Sequence, residues 1–158
     1  MKKFAFRLQR LLDIREAREK EIKNELAALL NIQNMERMKQ EEYRNRMDAE
    51  QRKFNEKLRA GKFSYLDSVM YERFIEFGNK VIQAAQERID GMEYEISKVR
   101  ERLVEASRER KVVERLKERK YEEFMYEYNR EVAKENDDAN QKMYIRRLRQ
   151  SIQGGEHA

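Results

Sequence analysis

The sequence contains no proline, no cysteine and no tryptophan, and only five glycines in 158 residues. A globular domain of that length needs several turns built on Gly and Pro, so their scarcity argues against a loop-rich fold. Without cysteine there is no disulfide, zinc–thiolate or thiol chemistry, which suits a reducing compartment. No apolar run approaches the roughly 20 residues of a membrane span. The basic opening MKKFAFRLQRLLDIRE is no signal peptide, because Arg7, Arg10 and Asp13 interrupt any apolar core. A soluble, cytoplasmic protein is the expectation.

Residues for chemistry are equally sparse. The single histidine is His157, in the tail GGEHA, and no Gly-rich phosphate loop, Cys/His set or Ser/His/Asp arrangement is present. Carboxylates are abundant but interleaved with basic neighbours, the pattern of a solvated helix face. No catalytic residue, cofactor-binding residue, metal ligand or small-molecule substrate is expected, and the chain reads as a non-enzyme.

What the chain has is charge and period. It is 42% charged and 39% hydrophobic, the composition of long helices or coiled coil. From Tyr71 to Val113 apolar residues recur at alternating steps of four and three, through Ile75, Gly78, Ile82, Ala85, Ile89, Ile96, Val99 and Ala106. This is a sustained heptad with Ile75 at a and Gly78 at d, flanked by charged e and g sites. A weaker track runs from Ala5 and Leu8 through Leu12, Ile22, Leu26 and Leu29 to Met47 and Phe54. Polar Arg15, Glu19, Gln33, Glu36, Gln40 and Glu50 share its register. Polar seam residues weaken a coiled coil, and some specify its register.

Between the tracks lies LRAGKFSYLDS. Gly61 suits the positive φ that ends a helix, and Ser64 or Ser68 suits the cap of the next. The short loop predicts an antiparallel pair. Folding the chain near residue 62 sets Val113 opposite a residue near Leu11, so the second heptad fades where its partner runs out. The expected fold is all-α: a long two-helix antiparallel coiled-coil hairpin with a C-terminal helical overhang. It forms a single elongated unit over residues 1–158, with helix 1 at about 4–59 and a turn at about 60–65. Helix 2 follows at about 66–149, and a disordered tail at about 150–158.

Three features fall outside the seam. In FSYLDSVMYERFIEF (63–77), Tyr71 and Ile75 belong to the seam, and Phe63 and Tyr65 are expected to close the turn. Phe74, Phe77 and Val81 sit at g, c and g, as a lateral patch for a partner or as a tip core over Phe54, Leu58 and Phe63. Farther on, Tyr121, Phe124, Met125, Tyr128 and Val132 form a stripe with no partner helix. Both ends are basic: Arg7 and Arg10 near the start, Lys142, Arg146, Arg147 and Arg149 near the end. In a hairpin these converge on one pole, which suits an acidic partner or nucleic acid.

The opening Phe4-Ala-Phe6-Arg7-Leu8-Gln9-Arg-Leu11-Leu12-Asp-Ile14-Arg15-Glu16 resembles the start of the flagellar export protein family FliJ, and RERKVVERLKERKYEEF resembles its charge-rich second half. The resemblance covers essentially the whole chain. It implies a coiled coil whose paired termini enter the pore of the hexameric flagellar export ATPase, FliI. On this sequence those residues are Phe4, Arg7, Arg10, Tyr121, Phe124, Tyr128, Arg146, Arg147 and Arg149. It also implies docking on the cytoplasmic domain of the export gate FlhA by a face after the turn, here Phe74, Phe77 and Val81, and handling of export chaperones. Gly78 stands where the resemblance implies a larger residue, and is not carried over as a contact. The implied location is cytoplasmic, peripheral to the membrane at the flagellar basal body. Read without the resemblance, the residues leave two other classes open: a basic coiled-coil module binding nucleic acid, and a structural homodimeric coiled coil.

Overall fold

A computed structural model describes residues 3–153 of the chain. Two helices account for nearly all of them: α1, Gln9–Arg59 (51 residues), and α2, Tyr65–Gln153 (89 residues). No strand occurs among the described residues. The sequence reading opens helix 1 near residue 4, whereas α1 opens at Gln9 after non-helical residues 3–6 and a turn at 7–8. No Ser, Thr, Asp or Asn precedes it to cap the exposed N–H groups, and its first turn holds no acid. The chain enters instead through a turn in which the Gln9 N–H donates to the Phe6 carbonyl at 3.0 Å. At the other end α2 reaches Gln153, beyond the expected helix end near 149. The rest of the expected tail, His157 included, and Lys2 lie outside the described residues.

The turn is built from identifiable caps. Gly61 has φ of 70°, the left-handed conformation that glycine adopts without a Cβ clash. The Lys62 N–H reaches the Lys57 carbonyl at 3.1 Å and the Gly61 N–H reaches Leu58 at 3.3 Å, the two bonds of a Schellman C-cap. Ser64, rather than Ser68, caps α2. Its Oγ accepts from the Asp67 N–H at 3.2 Å, while Asp67 Oδ2 accepts from the Ser64 N–H at 3.1 Å. Asp67 Oδ1 then takes Lys57 Nζ at 2.9 Å, tying the end of one helix to the start of the next.

Contacts divide the chain into two units. One spans Arg15–Arg108; the other joins the N-terminal stretch through Ile14 to the chain from Glu109. Within Arg15–Arg108 the helices pack antiparallel. Gln33 bonds Glu93, Gln40 bonds Gln86, Glu36 pairs with Arg88, and Glu25 pairs with Arg102. As one partner number rises the other falls, the signature of an antiparallel register. Ile22, Val99 and Ala106 form the buried cluster, with Leu26, Leu29 and Leu103 packed against it. Every heptad site read from the second track is buried or half-buried. Burying an aliphatic side chain stabilises by about 1.5–3 kcal/mol, so a single line of such residues holds the hairpin.

The polar seam sites are buried too. Gln33 and Gln40 are only 3% and 5% exposed. Each is satisfied across the interface: Gln33 Nε2 donates to Glu93 at 2.8 Å, and Gln40 Nε2 reaches the Ile82 carbonyl at 3.1 Å and Gln86 at 3.0 Å. Buried polar groups are tolerated when so paired.

Near the turn, Phe54 is the hub. Its ring stacks on Tyr71 at 4.4 Å and meets Phe63 edge-on at 5.3 Å. Phe63 therefore closes the turn as expected. Tyr65 does not: it is 84% exposed, because it lies on the first turn of α2 and faces away from the hub.

Candidate partner-binding surfaces

The expected gate patch lies wholly in the Arg15–Arg108 unit, and its three members differ. Phe77 is 56% exposed, touching only the edge of the hairpin through a tilted contact with Tyr43 at 6.2 Å. Phe74 and Val81 are half-buried. Phe74 lines a cleft of about 300 Å³ with Phe54, Tyr71, Met70, Lys57 and Asp67. Phe74 turns toward the tip core, and Phe77 stays on the surface.

Two residues missed in the sequence extend this surface. Leu66 and Met70 are large, apolar and exposed. With Phe77 and Val81 they follow i, i+4, i+11 and i+15, which at 100° per residue is one stripe along the helix. The signal was present, but the stripe runs along c, f and g sites, whereas the heptad assigns only a and d to the seam. Leu58 and Phe63 add apolar surface at the tip. Along this stripe Leu66, Met70 and Phe77 are exposed and Val81 is half-buried.

Charges around the ridge are fixed. Lys57 and Ser64 hold the Asp67 carboxyl below its ordinary value by hydrogen bonds. Lys80, 2.9 Å from Glu76, lowers that carboxyl likewise. Both acids are therefore ionised at neutral pH.

The residues expected at the ATPase fall in the other unit, and there they separate into two groups. Phe4 packs its ring edge-on against Tyr121 at 5.2 Å and tilted on Phe124 at 5.6 Å. Phe124 in turn stacks on Tyr128 at 6.3 Å. The stripe expected to lack a partner is thus partly covered by the non-helical start of the chain. Bulky Phe4 gains more area there than a poorly capped helical turn offers. Beside this cluster a cleft of about 750 Å³ is lined by Phe4, Phe6, Leu8, Leu116 and Phe124, together with Lys3, Arg7 and Lys120 and the acids Glu123 and Glu127. Leu12 and Val113 are buried in the same unit.

Arg7 and Arg10 are exposed, Arg7 on the cleft beside the Phe4 cluster, but Arg146, Arg147 and Arg149 are not with them. Tyr121 and Arg146 are on one continuous helix, and the 25 residues between them at 1.5 Å each amount to about 37 Å. The expected single basic pole is therefore two basic regions. The cause is the overhang of α2, which carries the second set of charges away from the first.

No group of His, Cys, Asp and Glu that could hold a metal occurs among the described residues, and no described helix is long and apolar enough to cross a membrane. The molecule falls in the class of all-α antiparallel coiled-coil hairpins. The family model for the flagellar FliJ protein matches residues 3–149. The chain belongs to that family, a non-enzymatic one with a role in flagellar export. No curated protein and no solved structure matches the chain significantly.

Proposed function

We propose that the chain is a non-enzymatic coupling component of the flagellar type III export apparatus. It joins the hexameric export ATPase FliI to the cytoplasmic domain of the export gate FlhA, and assists export chaperones, from a cytoplasmic position at the basal body. The observation that carries this reading is the exposed apolar ridge of Leu66, Met70 and Phe77, continued by half-buried Val81, in a family match that spans residues 3–149. A seam residue has a structural reason to be apolar, and these have none. The ridge is proposed as the gate-binding face, with Phe77 as its anchor. The Phe4–Tyr121–Phe124–Tyr128 cluster, with Arg7 and Arg10, is proposed as the ATPase-binding face, with Arg146, Arg147 and Arg149 farther along α2.

Titrating the purified chain into the gate domain, and separately into the ATPase, tests both faces. Phe77→Ala is the informative variant because the ring is more than half exposed and its loss leaves the hairpin intact. Removing an anchor costs roughly 2 kcal/mol or more, about thirtyfold in gate affinity, while helicity and ATPase binding stay unchanged. Phe4→Ala should do the reverse. Equal gate binding by wild type and Phe77→Ala defeats the ridge assignment, and failure of the wild type to bind either partner defeats the coupling role.

A further inference from the structure

The final turns of α2 carry an amphipathic face that the coupling role does not account for. Tyr144, Ile145, Leu148 and Ile152 are all exposed, at 66%, 48%, 44% and 68%. At 100° per residue their side chains fall within an arc of about 100°, a narrow apolar stripe. No acid occurs from Ala139 to Gln153, while Lys142, Arg146, Arg147 and Arg149 are all within it. Among the described residues none of these four cations is paired with a carboxylate, although ion pairs are frequent elsewhere on the chain.

We infer that residues 142–152 form a docking face for an anionic lipid surface, the apolar stripe entering the acyl boundary and the four cations meeting phosphate headgroups. Charge distribution selects this occupant. Ile145, Leu148 and Ile152 continue the a and d register of the seam, so a partner helix is the rival. A partner helix would meet only the e-site charges Lys142 and Arg149; Arg146 and Arg147, at b and c, would face water. A negatively charged plane attracts all four. Nucleic acid would use the charges but leave the apolar stripe without a role. Tyr144 borders the stripe, where an amphipathic ring sits at headgroup level. The inference goes beyond the coupling role; the same arginines serve a protein ring and a lipid surface in turn, not together.

The test is co-sedimentation of the full chain with vesicles of phosphatidylcholine alone or mixed with phosphatidylglycerol, at low salt. Expected is a preference of roughly tenfold or more for the anionic vesicles, reduced when salt is raised to about 0.5 M. Because the chain has no tryptophan, Tyr144→Trp is a unique fluorophore, and its emission should shift to the blue on anionic vesicles. Leu148→Glu and the Arg146→Gln, Arg147→Gln pair should each weaken binding by about tenfold, with circular dichroism unchanged. Equal sedimentation with both vesicles overturns the proposal. So does binding that survives Leu148→Glu, which would be charge attraction alone, as duplex DNA would also show. Binding that ignores the paired arginine change, together with a doubled mass in light scattering, would identify a helix–helix seam instead.

Discussion

Replacing Gly78 and Gly91 by alanine, one at a time, should stabilise the hairpin at Gly91 and give no such gain at Gly78. Both glycines lie inside α2, where alanine is favoured over glycine by about 0.8–1.0 kcal/mol. Around Gly91 there is open space: a Cβ built there meets no heavy atom within 4 Å. Gly91→Ala should therefore stabilise the hairpin by about 0.5–1 kcal/mol. At Gly78 the same methyl would lie 2.7 Å from Met47 Sδ and 3.1 Å from its Cγ. Met47 is itself a seam residue, half-buried on α1, and its sulfur occupies the space that glycine leaves. Moving it is an overpacking change of about 1–3 kcal/mol. The net effect of Gly78→Ala is then between about zero and 2 kcal/mol of destabilisation.

Urea unfolding followed by circular dichroism measures both, and a common slope licenses the comparison. A Met47→Ala, Gly78→Ala double variant isolates the clash, because Gly78→Ala should become favourable once the sulfur is gone. If Gly78→Ala stabilises as much as Gly91→Ala in the presence of Met47, the close helix approach at this layer does not exist. The result bears on function, since Gly78 follows Phe77 directly and the close approach sets the height of that ring above α1.

Two further outcomes follow from single layers and caps. Gln40→Leu should raise the urea midpoint, because a buried amide is replaced by apolar volume while its main partner Gln86 stays exposed to water. It should also add higher-mass species in light scattering, since a polar seam residue restricts pairing; a midpoint that falls would show that the Gln40 bonds outweigh burial. For the turn, the folded-state pKa of Asp67 is lowered from 3.8 by Lys57 and Ser64. Its stabilising contribution is complete above that unfolded value and is lost as pH falls through the depressed one. Protection of turn amides from hydrogen exchange should decline over that acidic window in the wild type, and be flat with pH in Asp67→Asn.

Much of the fold was legible because a seam is a one-dimensional pattern. Heptad spacing fixes which residue is buried without knowledge of anything distant, and from Tyr71 to Val113 each assigned site is buried or half-buried. The turn was legible for a related reason: Gly61 and Ser64 act on their own backbone within a few residues. What escaped depends on competition between local and distant terms. Helix 1 was read from residue 4 because its register continues there, yet the register says nothing about capping. An uncapped start competes with aromatic contacts to α2, and Phe4 takes the contacts.

Surfaces for partners are legible only by subtraction, and subtraction needs the seam to be drawn first. Once a and d are assigned, a large apolar residue at c or f has no intramolecular reason to be there. Phe77 was found that way, and Leu66 and Met70 satisfy the same test. The end of α2 inverts the logic. Ile145, Leu148 and Ile152 occupy seam register, so the pattern alone assigns them to a core, but they are exposed in the structure. An apolar residue off the seam, and an apolar residue on a seam with no second helix, are two forms of the same statement: each leaves apolar area exposed on the chain. On a hairpin this thin, with a single line of buried residues to hold it, every such residue adds exposed apolar area without adding to the core. A ridge near the turn and a stripe at the end of α2 are two such places, where Leu66, Met70 and Phe77, and Tyr144, Ile145, Leu148 and Ile152, are exposed.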